Sequence, residues 1–270
     1  MAVLISSLTV KPKRFTEFWQ HRELLYFFAW RDIKVRYRQA AFGAAWAVFQ
    51  PLLNMLIFTF LFSRVGHIHT GGIPYPIFVY SGLLPWTYFS TVLTTASASL
   101  VNNDPLITKV YFPRALLPGG TVLAGLLDLL IGSVLLVALM IYYHVRPTWA
   151  LLLIPVVLVA MVLLTTGVSM ITAALNVRYR DVRYALPFLI QVWMYATPIV
   201  YPITAISARF RPILALNPFW GIVDGLRACL FQEQRFDFRL MGTSLAVAVL
   251  CCVFAAVYFR SAEKSFADII

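Results

Sequence analysis

The chain has 270 residues, of which 61% are hydrophobic and only 12% are charged. Soluble globular proteins carry roughly 25% charged residues, and a core this apolar would lack polar surface to cover it. The composition therefore excludes an ordinary soluble domain. The net charge is +11, and the basic residues lie between apolar runs, which is typical of a membrane protein oriented by its charges rather than of a nucleic-acid-binding protein.

The N-terminal segment, residues 1–39, contains the stretch FTEFWQHRELLYFFAW. Its aromatic residues recur at helical spacing, opposite Glu17, Gln20 and Glu23. This pattern predicts an amphipathic helix that lies in the membrane interface, with Leu24 to Phe28 buried more deeply. A plain membrane anchor and a surface for partner docking remain open.

Four basic residues stand directly before the first apolar run. At 100° per residue, Arg31, Lys34 and Arg38 fall on one arc of a helix, whereas Arg36 lies elsewhere and follows Asp32 at a spacing that favours an ion pair. We predict an Arg36–Asp32 pair. The three-residue comb either holds phospholipid phosphates or meets an anionic, lipid-linked substrate from the inner leaflet.

Six segments are apolar enough to cross a bilayer, which takes about 20 residues. They are Ala40–Phe62, Ile77–Val101, Leu116–Tyr143, Trp149–Leu175, Ala185–Tyr201 and Leu240–Phe259. Basic residues concentrate before the first segment and in the loops after the second and the fourth. The positive-inside rule then places both ends of the chain in the cytoplasm. We therefore predict an all-α integral membrane protein, with a six-helix transmembrane domain over residues 40–260 and a cytoplasmic tail over residues 261–270.

A further apolar stretch, Ile213 to Phe231, is interrupted by Asn217-Pro218 and carries Asp224 and Arg227. Each piece is too short to cross. Irregular backbone at membrane depth survives only when protein or a wet cavity shields it. The sequence therefore predicts re-entrant half-helices over residues 204–231, between the fifth and sixth spans.

The loop after the second span reads NNDPLITKVYFPRALLP. Asp104 suits an N-cap, Pro105 the first helical position, and Pro113 ends the helix after Phe112. A helix of about two turns is unstable alone and needs a surface to pack on. The pattern predicts a cytoplasmic coupling helix for a soluble partner, over residues 104–112. Its contact residues would be Asp104, Leu106, Ile107, Val110 and Tyr111.

Asp128 is the one ionisable residue deep in a predicted span. A proton carrier is possible in principle, but Gly125 and Gly132 share its helical face and would let a neighbouring helix approach. We expect a packed, hydrogen-bonded Asp128, with Gln50, Asn54 or Gln191 as its partner.

Aromatic side chains form two faces that suit a sugar, which stacks on rings and hydrogen-bonds at its edge. The first span carries Phe42, Trp46 and Phe49 on one face. The fifth carries Tyr184, Phe188, Gln191 and Tyr195, with Trp193 on the opposite side. Lipid-facing belts and plain helix packing are the alternatives.

Other functions find little support in the sequence. His67 and His69 have no third ligand nearby, so a surface loop is favoured over a metal site. No G-x-x-x-x-G-K-[ST] is present, so this chain would not itself bind ATP. No cofactor is predicted for the chain, and an enzyme acting alone is not favoured.

Several motifs resemble the permease of ATP-binding-cassette exporters of polysaccharide and polyol phosphate, which export O-antigen, capsule and teichoic acid. They are RDIKVRYRQAAFGAAWAVFQPLL, SGLLPWTYFS, LITKVYFPRALLP, ALNVRYRDVRY, LNPF and the tail RSAEKSFADII. Together they extend over nearly the whole chain.

The resemblance implies a homodimer in the bacterial inner membrane, joined to two ATPase subunits that hold ATP and Mg²⁺. It implies that the amphipathic helix and the coupling helix dock on the ATPase, and that the half-helices form a periplasmic gate. A polymer on undecaprenyl diphosphate would thread a channel at the dimer interface, against Trp46, Phe49, Trp193 and Tyr195. Arg31, Lys34 and Arg38 would contact the lipid diphosphate.

Three rival functions predict different behaviour. An exporter of small lipophiles would not need the aromatic faces. A membrane enzyme acting on lipid-linked sugar would turn over without an ATPase. A proton-driven transporter would lose transport in Asp128→Asn, and it would be expected to contain internal repeats, which we do not find.

Overall fold

The computed structural model describes residues 21–38, 45–65, 70–110, 112–146, 148–207, 209–263 and 266, and all regular structure in them is helical. The α-helices are α1 Arg22–Arg38, α2 Trp46–Phe58, α3 Tyr75–Ala98, α4 Asp104–Lys109, α5 Leu116–Tyr142, α6 Ile154–Arg178, α7 Val182–Tyr195, α8 Arg211–Leu214, α9 Pro218–Leu230 and α10 Phe238–Glu263. A π-helix, Thr59–Val65, continues α2, and a 3₁₀ turn, Trp149–Leu153, leads into α6. The all-α class is therefore confirmed.

Three helices in the described residues are long and apolar enough to cross a membrane, namely Leu116–Tyr142, Trp149–Arg178 and Phe238–Glu263. They coincide with the predicted third, fourth and sixth spans. A shorter apolar helix, Val48–Phe62, lies within the predicted first span. The predicted fifth span is shorter than expected, because α7 ends at Tyr195 and the chain turns before Pro198.

Helix α3 forms the centre of the bundle, packed between α5, α6 and α9, and most of its side chains are buried. Its polar groups find partners inside the protein: the Tyr80 hydroxyl donates to the Gly132 carbonyl at 2.8 Å, and the Tyr75 hydroxyl donates to the Val200 carbonyl at 2.6 Å. Burial of a polar group is tolerated when it is hydrogen-bonded. Helix α3 can therefore be less apolar than the spans around it.

A second, smaller cluster joins α1 to the far end of the bundle. Phe28 and Ala29 of α1 are buried, and Phe28 packs on Phe112 with ring centroids 5.6 Å apart. Gly120 of α5 permits this approach, because a Cβ there would lie 2.8 Å from the Cβ of Phe28. Tyr26 and Trp30 stay exposed and stack on each other. The half of the amphipathic helix before His21 lies outside the described residues.

Asp128 is bound by α1, contrary to the predicted partners. Arg36 forms an ion pair with one carboxylate oxygen, and the Tyr37 hydroxyl donates to the other. Burial raises the pKa of the Tyr37 phenol, although the Arg36 charge acts in the opposite direction, so the phenol keeps its proton and can donate. The predicted pairing of Arg36 with Asp32 is thus wrong, as are Gln50, Asn54 and Gln191 as partners of Asp128.

The Arg36–Asp32 prediction was wrong because helical spacing identifies only pairs of residues on the same helix. Arg36 stands one turn after Asp32, but α1 packs on α5 and brings Arg36 to a carboxylate 92 positions along the chain. Gly125, one turn before Asp128, lies against Val92 and Tyr88 of α3, as the small-residue argument indicated.

The Asn217-Pro218 break lies where the sequence predicts it, and α9 begins at Pro218 with the Asn217 side chain accepting from the Phe219 amide at 3.1 Å. The piece before the break is a single turn, Arg211–Leu214, rather than a half-helix of similar length.

Arg227 of α9 is fully buried and holds the irregular segment after α7. Its guanidinium donates to the carbonyls of Pro198, Ile199 and Phe78, at 2.8 Å for Pro198 and 3.1 Å for Phe78. It also lies over the Phe78 ring, 3.7 Å from the centroid. The guanidinium thereby satisfies the carbonyls of Pro198 and Ile199, which lie outside the helices.

We predict that Asp128→Leu lowers stability by about 1–3 kcal/mol, because it leaves the half-buried Arg36 guanidinium without its anion. Arg36→Met combined with Asp128→Leu should recover part of that loss, since the pair is then replaced by apolar groups. Thermal unfolding of the detergent-purified wild type, both single variants and the double variant gives the coupling energy. Strictly additive losses would contradict the pair.

We predict that Gly120→Ala weakens the docking of α1, because the added methyl meets the Phe28 backbone and side chain. Overpacking of this kind costs about 1–3 kcal/mol. Gly242→Ala is the matched control, because a Cβ there has open space within 4 Å. Limited proteolysis and unfolding of both variants measure the difference, and equal behaviour would refute the close contact.

Candidate substrate path and coupling surface

Helix α7 presents one exposed aromatic side and one buried side. Leu186 and Ile190 face the bundle and are buried. The exposed side carries Tyr184 at 76%, Phe188 at 67%, Gln191, and Tyr195 at 54%. The four positions that sequence spacing grouped together therefore do lie on one exposed side of α7.

Helix α2 begins with a second pair of exposed rings. Trp46 and Phe49 are each about half exposed and meet edge to face, with centroids 5.6 Å apart. The two rings are therefore exposed side by side at the start of α2. Phe42 lies outside the described residues.

Trp193 differs from the other predicted channel residues because it faces the interior of the chain's own helix bundle. Its indole N–H donates to the Asn217 side-chain oxygen at 2.9 Å, and its ring meets Phe89 at 5.1 Å. The Asn217 amide in turn donates to the Thr197 hydroxyl at 2.8 Å. Trp193 thus joins the SGLLPWTYFS stretch of α3 to the LNPF stretch before α9, and Tyr195 is the exposed member of the two.

Of the predicted basic comb, Arg31 is held within the protein. Its guanidinium donates to Asp32 at 3.0 Å and to the Asn103 side-chain oxygen at 2.8 Å. The other oxygen of Asp32 accepts from the Thr121 hydroxyl of α5 at 3.2 Å. This network connects α1 with the residue before α4 and with α5. Sequence analysis missed Asn103, although an Asn before Asp-Pro is a recognisable N-cap candidate.

The other two members of the comb remain exposed. Lys34 lies with its ammonium group 5.6 Å from the centre of the Trp30 ring, and Arg38 is exposed at the end of α1. Both sit on the helix whose aromatic side chains suit the membrane interface. Lys34 and Arg38 are therefore the comb residues available to an anionic group.

A cavity of about 220 Å³ lies between the end of α1 and helices α2, α3 and α5. Its polar wall is formed by the Arg36–Asp128 pair, Tyr37 and Gln50, and Trp46 contributes a ring. The cavity therefore lies between Trp46, one member of the aromatic pair of α2, and a charged group inside the bundle. Arg36 is already neutralised there by Asp128.

A helix is present where the sequence predicts the coupling helix, but it is shorter than expected. Helix α4 spans Asp104–Lys109, and Asn103 rather than Asp104 holds the N-cap position, without a side-chain cap bond. Val110 is extended. The physical reason is that Phe112 is buried beside Phe28, which pulls the chain out of the helix before Pro113.

The two sides of α4 differ. Ile107 is buried in the cluster that contains Phe28, and Leu106 packs partly against it, so both serve the chain's own core. Thr108, Lys109 and Val110 are exposed. Tyr111 lies outside the described residues. The outer side of α4 thus offers a small surface with one cation and one apolar side chain.

Comparison with known proteins gives consistent results. The profile of the family described as "ABC-2 type transporter" matches residues 23–231. The chain is 33% identical over 257 residues to the O-antigen export system permease protein RfbA of Myxococcus xanthus, covering 94% of this chain and 98% of that one. An RfbA of the same description from Klebsiella pneumoniae is 29% identical over 241 residues, covering 89% and 92%.

The polysialic acid transport protein KpsM of Escherichia coli is more distant, at 24% identity over 208 residues, covering 72% of this chain and 76% of that one. The region that matches the family profile includes nearly all of α1, the short helix α4 and the break before α9. The chain belongs to the ABC-2 type transporter family of membrane proteins.

Proposed function

We propose that the chain is the permease subunit of an ATP-driven exporter that moves a lipid-linked polysaccharide, with O-antigen as the first choice, from the cytoplasm to the periplasm. The observation that carries the proposal is the exposed aromatic and amide side of α7, in a chain similar to O-antigen export permeases. Rings with a neighbouring amide suit successive sugar units, which stack and hydrogen-bond without requiring one fixed sequence.

The exposed side of α7 needs a second surface to become a channel. In our proposal a second copy of the chain supplies it, so that Tyr184, Phe188, Gln191 and Tyr195 face the same residues across a homodimer. Trp46 and Phe49 would line the entry. Trp193 is left out of the path, because it is bonded to Asn217 inside the protomer.

The orientation is proposed from the charges. Six spans with both ends in the cytoplasm of a bacterial inner membrane would put α1 and α4 on the inner side. Lys34 and Arg38 then stand at headgroup depth, where they would contact the diphosphate of an undecaprenyl carrier. Helix α9 would form the re-entrant element of a gate on the periplasmic side.

The energy would come from a separate ATPase, two copies of which would bind the dimer with their ATP and Mg²⁺. The outer side of α4, with Lys109 and Val110, is the proposed contact, together with the exposed side of α1. Arg31 would not touch the carrier. Its bonds to Asp32 and Asn103 would hold α1 and α4 in a fixed relation.

We predict that Tyr184→Ala, Phe188→Ala and Tyr195→Ala each reduce export severalfold, because each removes one stacking surface. The variants would be expressed in the native host lacking its own copy, and surface polysaccharide and membrane-retained polymer would be measured together. Phe254→Ala is the control, since Phe254 is equally exposed but lies on α10, away from the proposed path. Unchanged export in the three variants would favour a small lipophilic substrate.

We predict that Val110→Asp prevents stable association with the ATPase, because it places a charge in a small apolar contact. The test is co-purification of a tagged permease with the exporter ATPase of the same host. Ile213→Asp is the control, an exposed apolar residue of α8, far from α4 in the chain. Normal co-purification of Val110→Asp, with the permease correctly inserted, would refute the assignment of this surface.

A further inference from the structure

A cavity of about 1040 Å³ opens between α5 and α6 and reaches inward to α9. Its wall is almost entirely apolar. Leu226 and Leu230 of α9 line its inner part, and Leu84 and Pro85 of α3 complete it. The cavity is therefore bounded by four helices and open between α5 and α6. Its depth distinguishes it from the flat outer surface that lipid covers in any membrane protein.

The polar residues of this cavity concentrate where α5 turns back towards α6. His144 and Arg146 line it there, and His144 adopts the left-handed backbone conformation, with φ of 53°. Among the described residues that line the cavity, none is acidic. This turn lies at the opposite end of α5 from the coupling helix, about 40 Å away for a helix of 27 residues.

The chemistry of the cavity matches one class of ligand. An apolar wall gives water too few hydrogen-bond partners, whereas a hydrocarbon chain gains dispersion contacts with every side chain around it. A guanidinium and an imidazole at the turn would bind a phosphate through charge-assisted hydrogen bonds. Long hydrocarbon joined to an anionic phosphate is the composition of a membrane phospholipid.

We propose that this cavity binds an anionic glycerophospholipid of the outer leaflet, with an acyl chain between α5 and α6 and its phosphate on Arg146 and His144. None of the described lining residues belongs to α2 or α7, the helices proposed to carry the exported polymer. A resident lipid, rather than the exported carrier, is therefore the occupant. Its leaflet rests on the orientation proposed above, whereas the site itself does not depend on transport.

The position of the site gives the lipid a structural effect. Ile222, Leu226 and Leu230 recur every four residues along α9, so one side of this short helix lines the cavity. The same helix carries Arg227, which is bonded to the carbonyls of Phe78, Pro198 and Ile199. An acyl chain would support the apolar side of α9, while the hydrogen bonds of Arg227 hold the same helix to the neighbouring backbone.

Native mass spectrometry of the full-length permease, purified in detergent, tests the charge contribution with phosphatidylglycerol as the probe. Arg146→Gln combined with His144→Gln should weaken binding by roughly tenfold, the loss of a charge-assisted contact. Arg239→Gln is the matched control, because Arg239 is an exposed cation outside the cavity. Equal affinity for phosphatidylcholine and phosphatidylglycerol in the wild type would overturn the proposal.

A second pair of variants tests the chain-binding part without changing charge. Val137→Phe places a ring in the path of the acyl chain and should weaken phosphatidylglycerol retention, whereas Val134→Phe, on the same helix but outside the cavity, should retain it. Equal retention by both variants would refute the site. Displacement of phosphatidylglycerol by an equal concentration of undecaprenyl phosphate would assign the cavity to the carrier and overturn our choice of occupant.

Discussion

The buried guanidinium of Arg227 is the interaction on which the arrangement around α9 depends. The chain leaves the helical ladder after α7, and the carbonyls of Pro198 and Ile199 would otherwise lie buried without donors. Backbone carbonyls in an apolar interior need hydrogen-bond donors, and one arginine side chain supplies several of them. Because the same guanidinium also bonds to Phe78, α9 is fixed to the central helix α3.

A second polar junction lies close by and determines which side of α7 is exposed. Asn217 ends the irregular segment, starts α9 and accepts from the Trp193 indole. With Trp193 bound inside, the opposite side of α7 carries Tyr195 outward. Two separated sequence stretches, around Trp86 and around Phe219, meet at this indole. The two stretches that resemble family motifs therefore pack against each other in the fold.

The sequence predicted well where a pattern is local. The long apolar runs, the Asn-Pro break and the exposed side of α7 follow from composition, backbone chemistry and helical period. It failed where a contact joins distant segments. Arg36 pairs with Asp128 rather than with Asp32. Ile107 is buried in the cluster that contains Phe28 rather than exposed on the outer side of α4. Helical spacing cannot reveal these partners, because they depend on how α1 packs on α5.

The Arg31–Asn103 bond has a mechanical consequence. Asn103 stands immediately before α4, and Asp32, the neighbour of Arg31, is tied to α5 through Thr121. In the proposed exporter, a displacement of α4 by the ATPase would therefore be transmitted to α1 through this bond. Because Lys34 and Arg38 lie on α1, the same displacement would move the cations proposed to bind the lipid carrier.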